Sequence, residues 1–315
     1  NVGDEFGTSV SISNTGNRLA ISSPYNDNQN GSNAGCARVF DFNGDNWIQL
    51  GSDILGLAEG DRLRQVALSG DGNKLAASMP LNDYNGSNAG KIQVFSLSNN
   101  AWTKFGSNDI MDGSNSGDDF GYNDLAISFD GRTVTAGSVW GNYVKVFTLM
   151  DGQWSLLGGV INGDTNVEFG IARVALSNDG RRLVIGTFLN EQDNEGLTNR
   201  GRVAVFDFNH DDVNWEMVGQ SLHGESSKDY FGTSVSISGE GTRVAIGGYG
   251  NDGNGKNTGH VIVFEYDEES SQWNQIDNDI DGNSAHDQSG RSVSLSNDGN
   301  FVAIGAPASS SNGDQ

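Results

Sequence analysis

The chain has 315 residues with 45 glycines, only 3 prolines and 35% apolar residues, which excludes collagen and argues against one large core. A formal net charge of −23 repels phosphate backbones, so nucleic acid is set aside as a partner while cations, basic proteins and glycans stay open. The single cysteine, Cys36, excludes an intramolecular disulfide, and no apolar run approaches the roughly 18 residues that span a bilayer.

The first unit, residues 3–59, opens on Gly3-Asp4-Glu5-Phe6-Gly7. An alternating run, Thr8-Ser9-Val10-Ser11-Ile12-Ser13, has the period of two that predicts a strand. The Thr15-Gly16 turn leads to a second strand over Arg18-Leu19-Ala20-Ile21. A loop from Asn26 to Asn33 reads Asn-Asp-Asn-Gln-Asn-Gly-Ser-Asn and leads to a third strand. The fourth carries Trp47, and the unit closes on Asp53-Ile54-Leu55-Gly56.

The same order recurs along the chain. Unit two (60–116) opens on Gly60-Asp61-Arg62-Leu63, turns at Asp71-Gly72, loops through Asn82-Asp83-Tyr84-Asn85-Gly86-Ser87-Asn88 and carries Trp102. Unit three (117–166) has Gly117-Asp118-Asp119-Phe120-Gly121, Asp130-Gly131, a short Val139-Trp140-Gly141-Asn142 loop and Trp154. Unit four (167–226) has Glu168-Phe169-Gly170, Asp179-Gly180, the loop from Asn190 to Gly196, the strand Gly201 to Phe206 and Trp215. Unit five (227–285) has Asp229-Tyr230-Phe231-Gly232, Glu240-Gly241, the loop from Asn251 to Asn257, the strand Gly259 to Phe264 and Trp273. Unit six (286–315) has Asp287-Gln288-Ser289-Gly290, Asp298-Gly299 and the strand Phe301 to Ile304. Asp-Gly between two strand patterns is a hairpin signal, because glycine supplies the positive φ that the turn needs.

Each unit therefore reads as a four-stranded antiparallel meander at a period of roughly 50–60 residues, too small to bury its faces alone. Four strands per repeat predict an all-β fold, a β-propeller of five complete blades and one partial blade, forming one domain over 1–315. Tandem immunoglobulin-like domains need longer repeats, and β-helices have shorter coils without such hairpins. The recurring Phe and Trp positions are expected in the core between blades.

With the strands in place, the units resemble FG-GAP repeats, the blades of integrin α-type propellers. The resemblance rests on Phe-Gly ahead of strand one and on Gly305-Ala306-Pro307 after strand two, with Ser22-Ser23-Pro24, Ser78-Met79-Pro80 and Gly247-Gly248-Tyr249 at the matching places. It is also similar to secreted Asn/Asp/Gly-rich repeat proteins of marine microbes. It implies an extracellular or cell-surface module for binding or adhesion, with a protein or glycan as ligand. The family's calcium loop, Asp-x-Asp-x-Asp-Gly between strands one and two, is replaced here by tight turns such as Ser69-Gly70-Asp71-Gly72-Asn73, and no Arg-Gly-Asp occurs. Those sites and that ligand are therefore not carried over.

Candidate chemistry concentrates in the loops. Asp27, Asp83 and Asp252 lie between strands two and three, at the end of the blade that also receives Asp4, Asp61, Asp118, Asp229 and Asp287 from the connection between strands four and one. Calcium takes six to eight oxygens, so carboxylates and amides converging from both loops would suit it, while Asn, Asp and Gly are equally the residues that turns require. Asn30-Gly31-Ser32 and Asn85-Gly86-Ser87 are glycosylation sequons, expected to be occupied at Asn30 and Asn85 in a eukaryotic secretory route. His210, His223, His260 and His286 fall at different repeat positions with no ligand spacing between them. Cys36 reads as a buried small residue. No carboxylate pair stands out as a glycosidase would require.

Three functions compete. The first is a non-catalytic binding or adhesion propeller. The second is a structural subunit of an extracellular filament, sheath or surface layer. The third is a hydrolase or lyase with its site in the axial channel. The sixth unit stops after its second strand, so the edge at Phe301–Ile304 is expected to be covered. Further residues would close the ring, and another chain would make an oligomer or fibre by self-association.

Overall fold

A computed structural model describes residues 3–109, 111–138, 140–163, 172–189 and 195–309. The opening Glu168-Phe169-Gly170, the loop residues 190–194 and Val139 lie outside them. The described residues contain strands and turns and no helix. They fall into two compact units, Asn1–Val160 and Ile161–Gln315.

The first unit holds three sheets. Blade one consists of Val10–Ile12, Arg18–Ser23, Cys36–Phe42 and Trp47–Gln49, paired in that order, with Ile54–Leu55 returning to pair with the third strand. Blade two repeats the order with Val66–Leu68, Lys74–Met79, Lys91–Ser98 and Ala101–Lys104, and blade three with Leu125–Ile127, Thr133–Gly137, Tyr143–Met150 and Gln153–Asn162. The second unit holds blade four, Ala172–Leu176, Arg182–Thr187, Arg202–Asn209 and Asn214–Met217, with Leu222–His223 added to the third strand. Blade five is Phe231–Ile237, Arg243–Gly248, His260–Asp267 and Gln272–Gln275, with Ile280–Asp281 added in the same way. A two-stranded sheet follows, Ser292–Leu295 against Val302–Gly305. The fold is thus all-β, built of four-stranded antiparallel propeller-type blades, as the repeat predicts.

The hairpin between strands one and two is held by its own side chains. Ser69 Oγ donates to Asp71 Oδ1 at 2.6 Å, and the same carboxylate oxygen accepts the Asn73 N–H at 2.8 Å. Ser128–Asp130, Ser177–Asp179 and Ser296–Asp298 repeat the contact at 2.6–2.7 Å. These aspartates staple turns.

The cores lie between blades. One cluster joins blades one and two, another joins blades two and three, and a third joins blades four and five. Burial of this kind is what small meanders require of their neighbours. Three of the tryptophans on the repeat period reach back one blade. Trp102 Nε1 donates to Leu50 O at 3.1 Å, Trp154 Nε1 to Phe105 O at 2.8 Å, and Trp273 Nε1 to Val218 O at 3.0 Å. Trp154 and Trp273 are buried, and so are Phe120 and Phe231. Trp47 and Phe6 depart from the expected core position and are exposed, at 42% and 51%. Both belong to blade one.

The Phe-Gly and Gly-Ala-Pro glycines turn out to be one feature. A Cβ on Gly247, in the second strand of blade five, would stand 2.0 Å from the carbonyl of Gly290 in the next repeat. On Gly186 in blade four it would stand 2.6 Å from the carbonyl of Gly232. Blades one and two carry serine at this place. There the Ser22 hydroxyl donates to Arg64 O at 2.6 Å and the Ser78 hydroxyl to Gly121 O at 2.7 Å. Either a missing side chain or a donor brings strand two of one blade against strand one of the next.

Candidate binding face

At one end of each blade the second strand runs into the loop that leads to the third, and the connection from strand four arrives beside it. In blades one, two and five this loop has one shape. Asp27 Oδ1 accepts the Asn33 N–H at 2.8 Å, Asp83 Oδ1 the Asn88 N–H at 2.8 Å and Asp252 Oδ1 the Asn257 N–H at 2.7 Å. The glycines between them, Gly31, Gly86 and Gly255, adopt φ of 132°, 127° and 132°, a backbone that L side chains rarely take. The Asn-Asp-Gly composition is therefore what this loop geometry demands.

The preceding asparagine bridges to the neighbouring connection. Asn26 Nδ2 donates to Asp4 Oδ2 at 2.8 Å, and Asn82 Nδ2 donates to Asp61 Oδ2 at 2.9 Å. In blade five Asn251 Nδ2 reaches Glu225 Oε2 at 3.4 Å instead. The structure thus brings the two loops together as expected, through an amide on one side and a carboxylate on the other.

The candidate calcium ligands divide into two environments. Asp27, Asp83 and Asp252 are exposed at the loop tips. Asp61, Asp118, Asp229 and Asp287 are buried, Asp4 is half-buried, and the buried four close their own turns. Ala58 N–H donates to Asp61 Oδ2 at 2.9 Å, and Ser226 N–H donates to Asp229 Oδ2 at 2.8 Å. Ser284 N–H donates to Asp287 Oδ2 at 3.0 Å. Asp118 Oδ2 accepts Ser114 N–H and Asn115 N–H, both at 2.8 Å, and the Tyr143 hydroxyl at 2.6 Å. Burial raises the Asp61 carboxyl above its ordinary range, against the opposing pull of Asn82 and Ala58. Burial, then the bond to Asp118, pushes the Tyr143 phenol up to about 12.

The sequon asparagines also have structural partners. Asn30 Nδ2 donates to Gly56 O at 2.7 Å and Asn85 Nδ2 to Gly113 O at 2.8 Å. Asn254, which is in no sequon, makes the same bond to Gly282 O at 3.2 Å. The loop uses this amide whether or not a sequon surrounds it.

Aromatic rings and cations crowd the same end. Arg62 lies 4.8 Å from the Tyr25 ring centroid, Arg64 4.3 Å from Tyr122 and Arg291 4.5 Å from Tyr249. Tyr249 stacks on Tyr230 at 4.8 Å and 3°. Tyr84 stands 72% exposed with the Lys91 ammonium 4.2 Å from its ring. Cys36 is fully buried, and burial pushes its thiol up to about 11, far from a thiolate at neutral pH.

One cluster escaped the repeat reading. Glu225, His260 and Asp279 bring a carboxylate oxygen, a ring nitrogen and a second carboxylate oxygen within 4.8 Å of one another. No spacing rule links these residues. The readable signal was positional: His260 takes the first place of strand three, where other blades have Cys36, Lys91, Tyr143 and Arg202.

In comparisons with known proteins, the FG-GAP repeat family matches residues 1–40 and 224–264. No curated protein matches the chain in sequence. Among solved structures, a candidate 6-phosphogluconolactonase of Bacteroides uniformis is similar with a TM-score of 0.61 at 13% identity, over 94% of this chain and 77% of that one. The hydrazine synthase of Kuenenia stuttgartiensis is similar with a TM-score of 0.57 at 15% identity, over 94% and 79%. The β-propeller domain of Cps50 (Swd1) from Myceliophteria thermophila is similar with a TM-score of 0.56 at 12% identity, over 92% and 77%. At these identities the likeness is one of fold. The blades are of the propeller type, with FG-GAP repeat matches limited to residues 1–40 and 224–264, and no helix among the described residues is long and apolar enough to cross a membrane.

Proposed function

We propose that this FG-GAP repeat chain is a non-catalytic extracellular binding module, a single propeller that holds a neutral glycan on the loop ends of its blades. The observation that carries the reading is the loop built to one plan in blades one, two and five, beside exposed or stacked tyrosines such as Tyr84 and Tyr249. Flat amphipathic rings beside amide and carboxylate groups offer both the apolar and the hydrogen-bonding halves of a sugar surface. The charge of −23 disfavours sulfated or phosphorylated chains. A screen of immobilised neutral, sulfated and sialylated glycans tests it. Tyr84→Ala and Tyr249→Ala should each weaken capture of a neutral glycan at least tenfold. Capture by neither the parent nor the variants, with turnover of a sugar lactone or glycoside instead, would replace this reading with the catalytic one.

Two further features belong to the same reading. Calcium, held by some of Asp27, Asp83 and Asp252 with nearby loop oxygens, would stabilise the folded chain in proportion to its concentration. Equal melting in calcium and in chelator would remove it. Passage through a eukaryotic secretory route would place glycans on Asn30 and Asn85, which intact-mass measurement of native material reads directly.

A further inference from the structure

We propose that Glu225, His260 and Asp279 form a binding site for a divalent transition-metal ion of the zinc class, independent of the glycan reading above. Three observations converge on it.

The first is geometry. His260 Nδ1 and Asp279 Oδ2 are 3.1 Å apart, and a Glu225 carboxylate oxygen completes the group within 4.8 Å. Two ligands each about 2.1 Å from a tetrahedral ion stand about 3.4 Å apart, so a small movement would seat both on one metal. One nitrogen and two carboxylate oxygens, leaving a position open, is a donor set that zinc accepts.

The second is a buried ring held in one place. His260 is 0% exposed, and its Nε2 is buried without a hydrogen-bond partner. The ring turns Nδ1 toward Asp279 at 3.1 Å, the atom that a metal shared with Asp279 would take, and Nε2 away from it. Its face is fixed by Phe231, edge-on at 6.0 Å, and a Cβ on Gly248 would come 2.8 Å from Nε2. The imidazole is held in place by its surroundings, as a ligand must be.

The third is charge, read by comparing blades. The counterpart of Asp279 in blade one, Asp53, is neutralised by Arg38 at 2.9 Å. In blade two, Asp109 pairs with Lys104 at 2.8 Å, and the buried Lys91 ammonium lies 2.8 Å from Asp112 and 3.9 Å from Asp109. In blade five Ile262 takes the place of Arg38, Gln275 that of Lys104 and His260 that of Lys91. Glu225 adds a further carboxylate at a position that is Leu57, Ser114 or Asn283 elsewhere. Among the described residues neither Glu225 nor Asp279 pairs with lysine or arginine. The pattern breaks in one blade, and it breaks toward metal-binding residue types with a cation removed. A metal ion would stand where the ammonium of Lys91 stands in blade two.

Zinc titrated by calorimetry into the purified full chain, first stripped with chelator, tests the site. The expected result is one tight site per chain, weakened at least tenfold by His260→Gln and by Glu225→Gln. The site should be unchanged by Asp45→Asn, which samples the exposed acidic surface elsewhere. Glu225 is exposed, so Glu225→Gln keeps the test valid if His260→Gln fails to fold. Cobalt(II) in place of zinc should give visible absorption bands that the same two variants lose. Zinc binding that survives Glu225→Gln at full strength, that excess calcium displaces, or that never exceeds weak multi-site uptake would overturn the proposal.

Discussion

Aspartate serves this chain in two opposite ways, and the difference is the solvent around it. Asp298 is exposed, and the Ser296 hydroxyl, then the Asn300 N–H, hold its carboxyl below the usual value of 3.8. Its ionised form therefore adds stability above that value, which is lost as pH falls through the folded-state value. Asp61 is buried, and desolvation holds its carboxyl above 3.8 despite Asn82 and the Ala58 N–H. The sign is reversed: relative stability is present while Asp61 is protonated and is lost as pH rises through the folded-state value. Asp61→Asn keeps an acceptor and removes the buried charge. The melting temperature of this variant minus that of the parent should be more positive at pH 7 than at pH 3. An equal difference at both pH values would contradict the assigned cause.

At the scale of elements, the contact between blades decides stability. Gly247→Ala drives a methyl into the Gly290 carbonyl, a clash expected to cost about 1–3 kcal/mol, and Ser78→Gly forfeits two hydroxyl bonds, to Gly121 O and from the Gln65 N–H, of about 1 kcal/mol each. Trp154→Ala empties the core shared by blades two and three and should cost about 3–5 kcal/mol, read by denaturant unfolding. A Trp154→Ala chain as stable as the parent would show that this core does not hold the blades. Much of this was legible beforehand. Asp-Gly marked the hairpins because only turn chemistry puts those residues between alternating runs. Trp102, Trp154 and Trp273 marked the blade period because in blades two, three and five an indole docks on the preceding blade. Burial of Trp47 and Phe6 could not be read, since it depends on a neighbour and not on the residue. The Glu225–His260–Asp279 group was invisible for a related reason. His260 and Asp279 meet where Ile280–Asp281 pairs with the third strand of blade five, Glu225 comes from the connection out of blade four, and repeat periodicity hides what differs from blade to blade.

For the molecule as a whole, charge and docking set the terms. With 41 acidic against 18 basic residues, the folded chain crowds like charges that unfolding disperses. Moderate sodium chloride screens that repulsion, so the melting temperature should climb between low salt and about 0.15 M, where the Debye length is about 8 Å. A fall over this range would mean that ion pairs such as Arg182–Asp207, at 2.6 Å, outweigh the repulsion. The docking of Trp154 and Trp273 on the previous blade has an optical consequence. Trp154 reports on the first unit and Trp273 on the second, each sealed from water with its N–H fixed to a backbone carbonyl. Such rings fluoresce at shorter wavelength than solvated ones, and their emission moves red only when their own blade lets go. A chain whose other indoles are replaced by phenylalanine, keeping Trp154 in one version and Trp273 in the other, becomes a pair of gauges. Read side by side during melting, they tell whether the two halves come apart at one temperature or at two.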